Sequence, residues 1–253
     1  NFRMHSDTFS LMIDSSTLKI IMREILDLKG NAYTKRIPSW IFNLSREQLS
    51  FILKGLFSGD GCVADKEIVI PLASLNLLKD IQLILLQFGI ILRIGSLRKD
   101  KTYNAAISTL KDWKLFRNFV NILPLYKQER LNLLCNKIST HDTTDIIPLN
   151  IGDKKIICDA IRGLNYNGYI RRNNNIGRNK LTSILQGVEI ENEFLQNINI
   201  LINSDLLWDQ IKEIKEINFD GYVYDISVPE DESFITNNIV AHNTLELPTD
   251  NLR

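Results

Sequence analysis

The chain has 253 residues, 44% of them hydrophobic, and its 30 basic and 30 acidic side chains leave no formal net charge. This length allows one or two domains with sizeable cores. Because the charges balance, the total charge gives no reason to expect a nucleic-acid partner. The apolar runs are too short to span a bilayer, and no signal-peptide pattern is present, so we expect no membrane partner. Three widely spaced cysteines without a CxxC motif predict a reducing, cytoplasmic environment and no metal cluster.

Two helices are predicted near the start of the chain. The first covers residues 9–28, where apolar side chains at helical spacing follow a capping serine, Ser15 or Ser16. The second begins at residues 45–48, whose sequence Ser-Arg-Glu-Gln is a capping box, and it runs to Gly59.

The second helix carries the segment Leu-Lys-Gly-Leu-Phe-Ser-Gly-Asp-Gly, residues 53–61. Gly55 and Gly59 share one face, so another helix can pack closely against it. Asp60 follows the end of the helix, where a carboxylate opposes the helix dipole, which suggests a role other than stability. Two such helices side by side would pair two carboxylates, which can bind Mg²⁺ over a phosphodiester and activate water. The alternative is a helix that simply ends in a Gly-Asp-Gly turn.

This segment resembles the LAGLIDADG motif of homing endonucleases, and residues 35–48 resemble the stretch that often precedes the family's second motif copy. The resemblance implies that Asp60 binds the metal and is catalytic, and that Gly55 and Gly59 pack against the other motif helix. It also implies Mg²⁺ as the cofactor of the nuclease and double-stranded DNA as its target. Residues 10–16 are the nearest second copy but lack the glycines, so we expect the first copy upstream, with pairing of two chains as the alternative.

The elements that follow the motif alternate between helices and strands. We predict strands at 68–73, 90–97 and 102–108 and helices at 74–88, 110–122 and 125–137. This order resembles half of the endonuclease fold, an α+β fold whose twisted sheet lies across the DNA. The residues that would then face DNA and contact phosphates and base edges are Arg93, Arg98, Lys99, Lys101 and Tyr103. An ordinary solvated hairpin is the alternative.

A polar linker at 140–145 precedes a small helical module, with helices predicted near 154–164, 180–186 and 191–202. Residues 166–180, between the first two helices, form the densest basic run of the chain, with two tyrosines and no acid. This composition suits contact with DNA phosphates and bases, and a flexible polar loop is the alternative. The candidate DNA-binding residues here are Arg171, Arg172, Arg178 and Lys180.

The last part of the chain is predicted to be β-structure. β-Branched residues favour a strand at 208–217. Alternating apolar residues predict two more strands, at 222–228 and 234–240, on either side of a polar turn at 229–233.

The sequence His242-Asn243-Thr244 follows the last predicted strand. The Asn243 amide nitrogen can attack its own carbonyl carbon, form a succinimide and release the next residue. His242 can donate a proton to that carbonyl or to the leaving amine, and the Thr244 hydroxyl can accept an acyl group. Taken alone, the triplet does not indicate this chemistry, because a loop with an Asn turn residue and a helix-capping Thr is by far the more common explanation.

Residues 222–244 as a whole closely resemble the C-terminal splicing motifs of inteins. The resemblance implies that Asn243 cyclises with the assistance of His242, and that Thr244 is the first residue of the downstream host segment. It also implies that Asp225 helps to couple the steps. The chain departs from the family pattern at Glu232, where inteins often carry a histidine.

The resemblance also implies a domain organisation, in which 1–140 are the second half of the endonuclease domain and 141–206 a DNA-contacting module similar to those of archaeal inteins. Residues 207–243 would be the closing β-strands of a Hint-type splicing domain, and 244–253 a host segment similar to archaeal secretion-type ATPases. Splicing would need no cofactor, and its partners would be an upstream intein half and the host flanks. The alternatives are a free-standing, dimeric endonuclease and a non-cleaving DNA-binding regulator of the same fold.

Overall fold

The computed structural model describes residues 2–5, 8–11, 13–137, 144–161, 166–172, 175–186, 188, 193–211, 213–222, 224, 226–236 and 239–242. The chain divides into two compact units, Asn1–Trp208 and Asp209–Arg253. The described residues form helices and small antiparallel sheets, in agreement with the predicted α+β class. Within the described ranges, no helix is long and apolar enough to cross a membrane.

The start of the first unit differs from its prediction. Strands β1 (Phe2–His5) and β2 (Thr8–Leu11) pair in an antiparallel hairpin, and helix α1 (Ser16–Ile20) begins only after it and continues as a π-helical turn, Ile21–Ile25. The predicted helix over 9–28 is therefore wrong at its start. The hairpin supplies backbone hydrogen bonds to residues 8–11, and Ser15 caps α1 by accepting from the Leu18 N–H.

Helix α2 (Arg46–Gly59) confirms the predicted capping box. The Ser45 hydroxyl accepts from the Gln48 N–H, and the Gln48 side chain accepts from the Ser45 N–H. A four-stranded antiparallel sheet follows, in the order β3-β4-β6-β5, made of Cys62–Val63, Ile68–Leu72, Tyr103–Ile107 and Arg93–Leu97. The helices around it are α3 (Leu75–Leu86), α4 (Leu110–Phe119) and α5 (Leu125–Cys135), all close to their predicted positions.

The first hydrophobic core lies among α2, the four-stranded sheet and α3 to α5. Helix α2 buries Leu49, Leu53 and Phe57, which follow one another at intervals of four residues and so lie on one face. The Phe57 ring meets the Phe116 ring of α4 edge to face, with 4.8 Å between centroids. The opposite face of α2 remains exposed.

A second core is built from residues 146–202 of the same unit. Strands β7 (Ile146–Pro148) and β8 (Asn175–Gly177) pair antiparallel, and four helices surround them: α6 (Ile151–Ala160), α7 (Asn167–Arg172), α8 (Arg178–Leu185) and α9 (Glu193–Asn203). The basic run at 166–180 is thus a short helix, a strand and a helix start rather than a loop. Ile170 and Ile176 explain this, because both are fully buried in the second core.

The second unit holds one hairpin among its described residues, β9 (Ser233–Thr236) with β10 (Ile239–His242). The segment predicted as one strand at 234–240 is therefore folded back on itself. The strands predicted at 208–217 and 222–228 are not formed by the residues described there. Apolar alternation alone does not make a strand, because the backbone must also find a partner for its hydrogen bonds.

Candidate functional site

A tight turn leads into the C-terminal hairpin. The Asp231 N–H donates to the Pro229 carbonyl at 3.0 Å, and the Glu232 N–H donates to the Val228 carbonyl at 3.2 Å. Glu230 and Glu232 both adopt left-handed backbone conformations, with φ of 75° and 49°. The turn reverses the chain directly before β9, so the Glu232 position is set by local backbone geometry.

The hairpin brings Glu232 and His242 together. In the β9–β10 register His242 lies opposite Ser233, the residue that follows Glu232. Nε2 of His242 is 3.5 Å from Oε2 of Glu232, and both side chains are more than half exposed, at 59% and 65%. The residue that departs from the intein pattern thus contacts the residue predicted to assist the chemistry.

The other predicted splicing residues fall outside the described residues. Asn243 and Thr244 follow β10 in the sequence, and Asp225 precedes the turn. Their roles stay predictions, and His242 is the predicted splicing residue that the structure positions.

The second predicted site is the end of helix α2. Asp60 is the C-cap residue, its N–H donates to the Leu56 carbonyl at 2.9 Å, and its side chain is exposed. Gly61 follows, where a Cβ would lie 2.5 Å from the Phe57 carbonyl oxygen. Only glycine fits this close approach of two backbone segments. The glycine after Asp60 therefore has a steric reason, and the carboxylate itself points to solvent.

Gly55 and Gly59 lie on the open face of α2. A Cβ built on either glycine would meet no atom within 4 Å. Phe51, one turn earlier on the same face, is 61% exposed. Within the described ranges nothing packs on this stripe, so the predicted helix-packing role of the two glycines stays a prediction.

One buried lysine beside Asp60 was missed by the sequence reasoning. Nζ of Lys127 donates to the Ser58 carbonyl at 2.8 Å and reaches those of Phe57 and Gly59 at 3.4 Å. A cation at the carbonyl end of a helix is stabilising, and here it offsets the unfavourable Asp60 charge. The position of Lys127 in the sequence could have indicated its burial, because it lies four residues before the buried Leu131 and so shares the core face of α5.

The predicted DNA-facing hairpin is β5–β6. Arg93, Arg98, Lys99 and Lys101 are exposed and Tyr103 is half-buried, paired with Leu97 across the strands. In the turn, Oδ2 of Asp100 lies 4.0 Å from Nε of Arg98. This acidic side chain reduces the positive charge of the hairpin. No group of three or more metal-binding side chains occurs in the part of the chain that the structure describes.

The basic residues of the small module are not all at the surface. Arg171 and Arg172 are exposed at the end of α7, and Nζ of Lys180 stacks 4.7 Å from the centre of the Tyr166 ring. Arg178 is buried instead, with its Nε 2.9 Å from Asp145 Oδ2. Its assignment to DNA contact is wrong, because the guanidinium lies in the protein interior and bonds to the protein.

Comparison with known proteins adds a family relationship to these observations. Residues 10–243 match the family model described as "Intein splicing domain". A reverse gyrase of Methanocaldococcus jannaschii is 27% identical over 248 residues, covering 88% of this chain and 15% of that protein. The replicative DNA helicase DnaB of Synechocystis sp. is 28% identical over 259 residues, covering 90% of this chain and 28% of that protein. The RNA polymerase subunit Rpo1C of M. jannaschii is 31% identical over 263 residues, covering 95% of this chain and 29% of that protein. The chain therefore spans less than a third of the length of each.

Proposed function

Because this chain belongs to the intein splicing domain family, whose activity is protein splicing, we propose that it completes splicing at the Asn243–Thr244 peptide bond. Its single strongest support is that the family match extends to residue 243, directly after the histidine that the C-terminal hairpin positions. The relatives give independent support. A reverse gyrase, a helicase and a polymerase subunit are different proteins, yet each matches most of this chain while the match covers less than a third of that protein. An inserted element carried by different host proteins produces this pattern.

In the proposed reaction the Thr244 hydroxyl accepts the acyl group of the upstream host segment, forming an ester. The Asn243 side-chain nitrogen then attacks the Asn243 carbonyl carbon, and the bond to the Thr244 nitrogen breaks. His242 supplies the proton that the leaving nitrogen needs. The ester finally rearranges to an amide, which joins the two host segments. The first nucleophile of the pathway and the host flanks are partners from outside residues 2–242, and Asp225 is proposed to couple the steps.

The extended segment of the second unit, around residues 214–224, has an exposed apolar surface that suits a partner. Several large apolar side chains there are four-fifths or more exposed: Ile214, Ile217, Tyr222 and Tyr224. Soluble domains rarely leave such a run uncovered, and an extended run of this kind is a template for pairing with another strand. We infer that an upstream half of the splicing domain covers it.

The experiment that tests splicing is intact-mass measurement of the whole chain, with Asn243→Ala as the matched control. We expect loss of residues 244–253 from the parent chain, by itself or after addition of an upstream segment of the same intein, and no loss from the variant. A parent that keeps these residues under both conditions refutes the proposal. Equal loss in parent and variant refutes the role of Asn243.

A second proposed activity is DNA cleavage by a LAGLIDADG-type endonuclease domain, favoured by the open Gly55–Gly59 face of α2. That face suits close packing of a second motif helix, which would place a second carboxylate beside Asp60. Asp60 fits as one ligand of Mg²⁺, since it is an exposed carboxylate, but one carboxylate is half of such a site. Bound Mg²⁺ would supply Lewis-acid assistance to phosphodiester hydrolysis. Double-stranded DNA would lie on the β5–β6 face and on Arg171, Arg172 and Lys180.

The nuclease proposal is tested with this chain joined to its upstream segment. Mg²⁺-dependent cutting of DNA that contains the uninterrupted host gene is expected for the parent and not for Asp60→Asn. Binding without cutting in both would favour the non-cleaving DNA-binding regulator. Cutting by this chain alone, as a dimer, would favour the free-standing endonuclease.

A further inference from the structure

One acidic side chain faces His242 in the C-terminal hairpin. Oε2 of Glu232 lies 3.5 Å from His242 Nε2, whereas the two other acids of the same turn, Glu230 and Asp231, form no ion pair with this imidazole among the residues described. The backbone fixes the contact. Glu232 is tied to the turn through its own N–H, and the next residue, Ser233, pairs directly with His242. The hairpin therefore places the backbones of Glu232 and His242 close together, within reach of this side-chain contact.

We propose that Glu232 is a positioning residue for the reaction at Asn243, an inference that rests on the function proposed above. A carboxylate beside Nε2 favours the imidazole tautomer that carries its proton on Nε2 and directs it at Glu232. In that tautomer Nδ1 carries the lone pair, so Nδ1 is the ring nitrogen that can accept a proton during the reaction. The carboxylate also restricts rotation of a side chain that is otherwise 59% exposed.

The proton movements then balance around one nitrogen. The Asn243 side-chain nitrogen forms a bond to the Asn243 carbonyl carbon and gives one proton to Nδ1 of His242. The bond from that carbon to the Thr244 nitrogen breaks, and the same proton passes from Nδ1 to the leaving nitrogen. The products are a C-terminal succinimide and a free Thr244 amine, and no water or other reactant is consumed. Between the two transfers the imidazole is positively charged, and the Glu232 carboxylate stabilises it.

The contact is tested by NMR on the whole chain labelled with ¹⁵N-histidine. The chain has three histidines, so the His242→Gln variant assigns the His242 signals by their disappearance. We expect the parent to show the tautomer protonated on Nε2. Glu232→Gln should show a smaller fraction of this tautomer than the parent, while Glu230→Gln, the matched control in the same turn, should match the parent. A tautomer that does not change in Glu232→Gln overturns the proposed contact.

The effect on chemistry is tested by the rate at which residues 244–253 are released, followed by intact mass. We expect Glu232→Gln to lower the rate roughly ten- to hundred-fold, a part of the roughly 10²–10⁴-fold that acid–base catalysis supplies. Glu232→Asp, which keeps the charge, should recover part of the loss, and Glu230→Gln should match the parent.

The two proposals fail in different ways. Release from the parent at a rate that Glu232→Gln does not change overturns the positioning role and leaves splicing intact. No release from the parent counts against the splicing proposal, and the NMR result then decides the contact by itself. In that case, a tautomer fraction that changes in Glu232→Gln supports the contact between Glu232 and His242. A fraction that does not change counts against the contact as well as against splicing.

Discussion

Replacing Arg178 by methionine should destabilise the second core without disturbing the first. The Arg178 Nε contacts both oxygens of Asp145, at 3.0 and 2.9 Å, and both side chains are less than a tenth exposed. The rest of the guanidinium bonds to carbonyls at and beyond the end of α9, among them those of Ile202 at 2.9 Å and Ser204 at 3.1 Å. One side chain therefore links α8 to the residue before β7 and to the end of α9.

Methionine has a similar length and removes the charge, so Asp145 would be left buried beside the half-exposed Lys111, which is 3.8 Å away. Removing one partner of a buried ion pair costs about 3–5 kcal/mol, and Lys111 keeps the expected loss near the lower end of that range. The double variant Arg178→Met with Asp145→Leu should regain part of this loss, because it also removes the buried carboxylate that has lost its Arg178 partner.

The assay is native-state hydrogen exchange, which resolves the two cores, together with urea unfolding. Amides of α6, α8 and α9 should lose protection in Arg178→Met, while those of α2 and α3 keep theirs. Arg171→Met, at an exposed position of the same basic run, should stay within about 0.5 kcal/mol of the parent. Equal stability of Arg178→Met and Arg171→Met would refute the structural role given to Arg178.

Three further outcomes are expected. Gly61→Ala should cost about 1–3 kcal/mol in urea unfolding, because its Cβ would lie 2.5 Å from a backbone oxygen, whereas Gly55→Ala, with no atom within 4 Å, should be neutral or stabilising. Burial raises the pKa of the Cys135 thiol, so iodoacetamide at mildly alkaline pH should alkylate the exposed Cys62 first and Cys135 only on unfolding. If the proposed DNA contact is right, Lys99→Ala should weaken duplex binding similarly for all DNA sequences and lower by about one unit the slope of log affinity against log salt concentration. An unchanged slope would remove Lys99 from the proposed DNA surface.

Much of the first unit could be predicted because its signals are local. The capping box at Ser45, the cap at Ser74 and the turn glycine Gly89, with φ of 71°, act over a few residues and are visible in the sequence. The positions of α2 and α3 and of the first core followed from these caps and from apolar spacing.

The features that could not be predicted depend on distant residues. The strands expected at 208–217 and 222–228 require partner strands that apolar alternation cannot supply. Arg178 looked like its neighbours Arg171 and Arg172, and only the folded position of Asp145, 33 residues earlier, separates it from them. The contact between Glu232 and His242 was hidden in the same way, because it depends on a hairpin whose position along the chain was predicted several residues too early.

The exposed, extended segment around Ile214 and Tyr222 has a consequence for how the protein is made. Exposed β-branched and aromatic side chains on unpaired extended backbone promote edge-to-edge association between copies. On the ribosome, the proposed upstream half of the splicing domain would already have been synthesised when this segment emerges, and would cover the segment at once. Expression of the C-terminal part by itself removes that protection. Order of synthesis would then act as a safeguard against aggregation, and artificially separated halves would need to be mixed at low concentration.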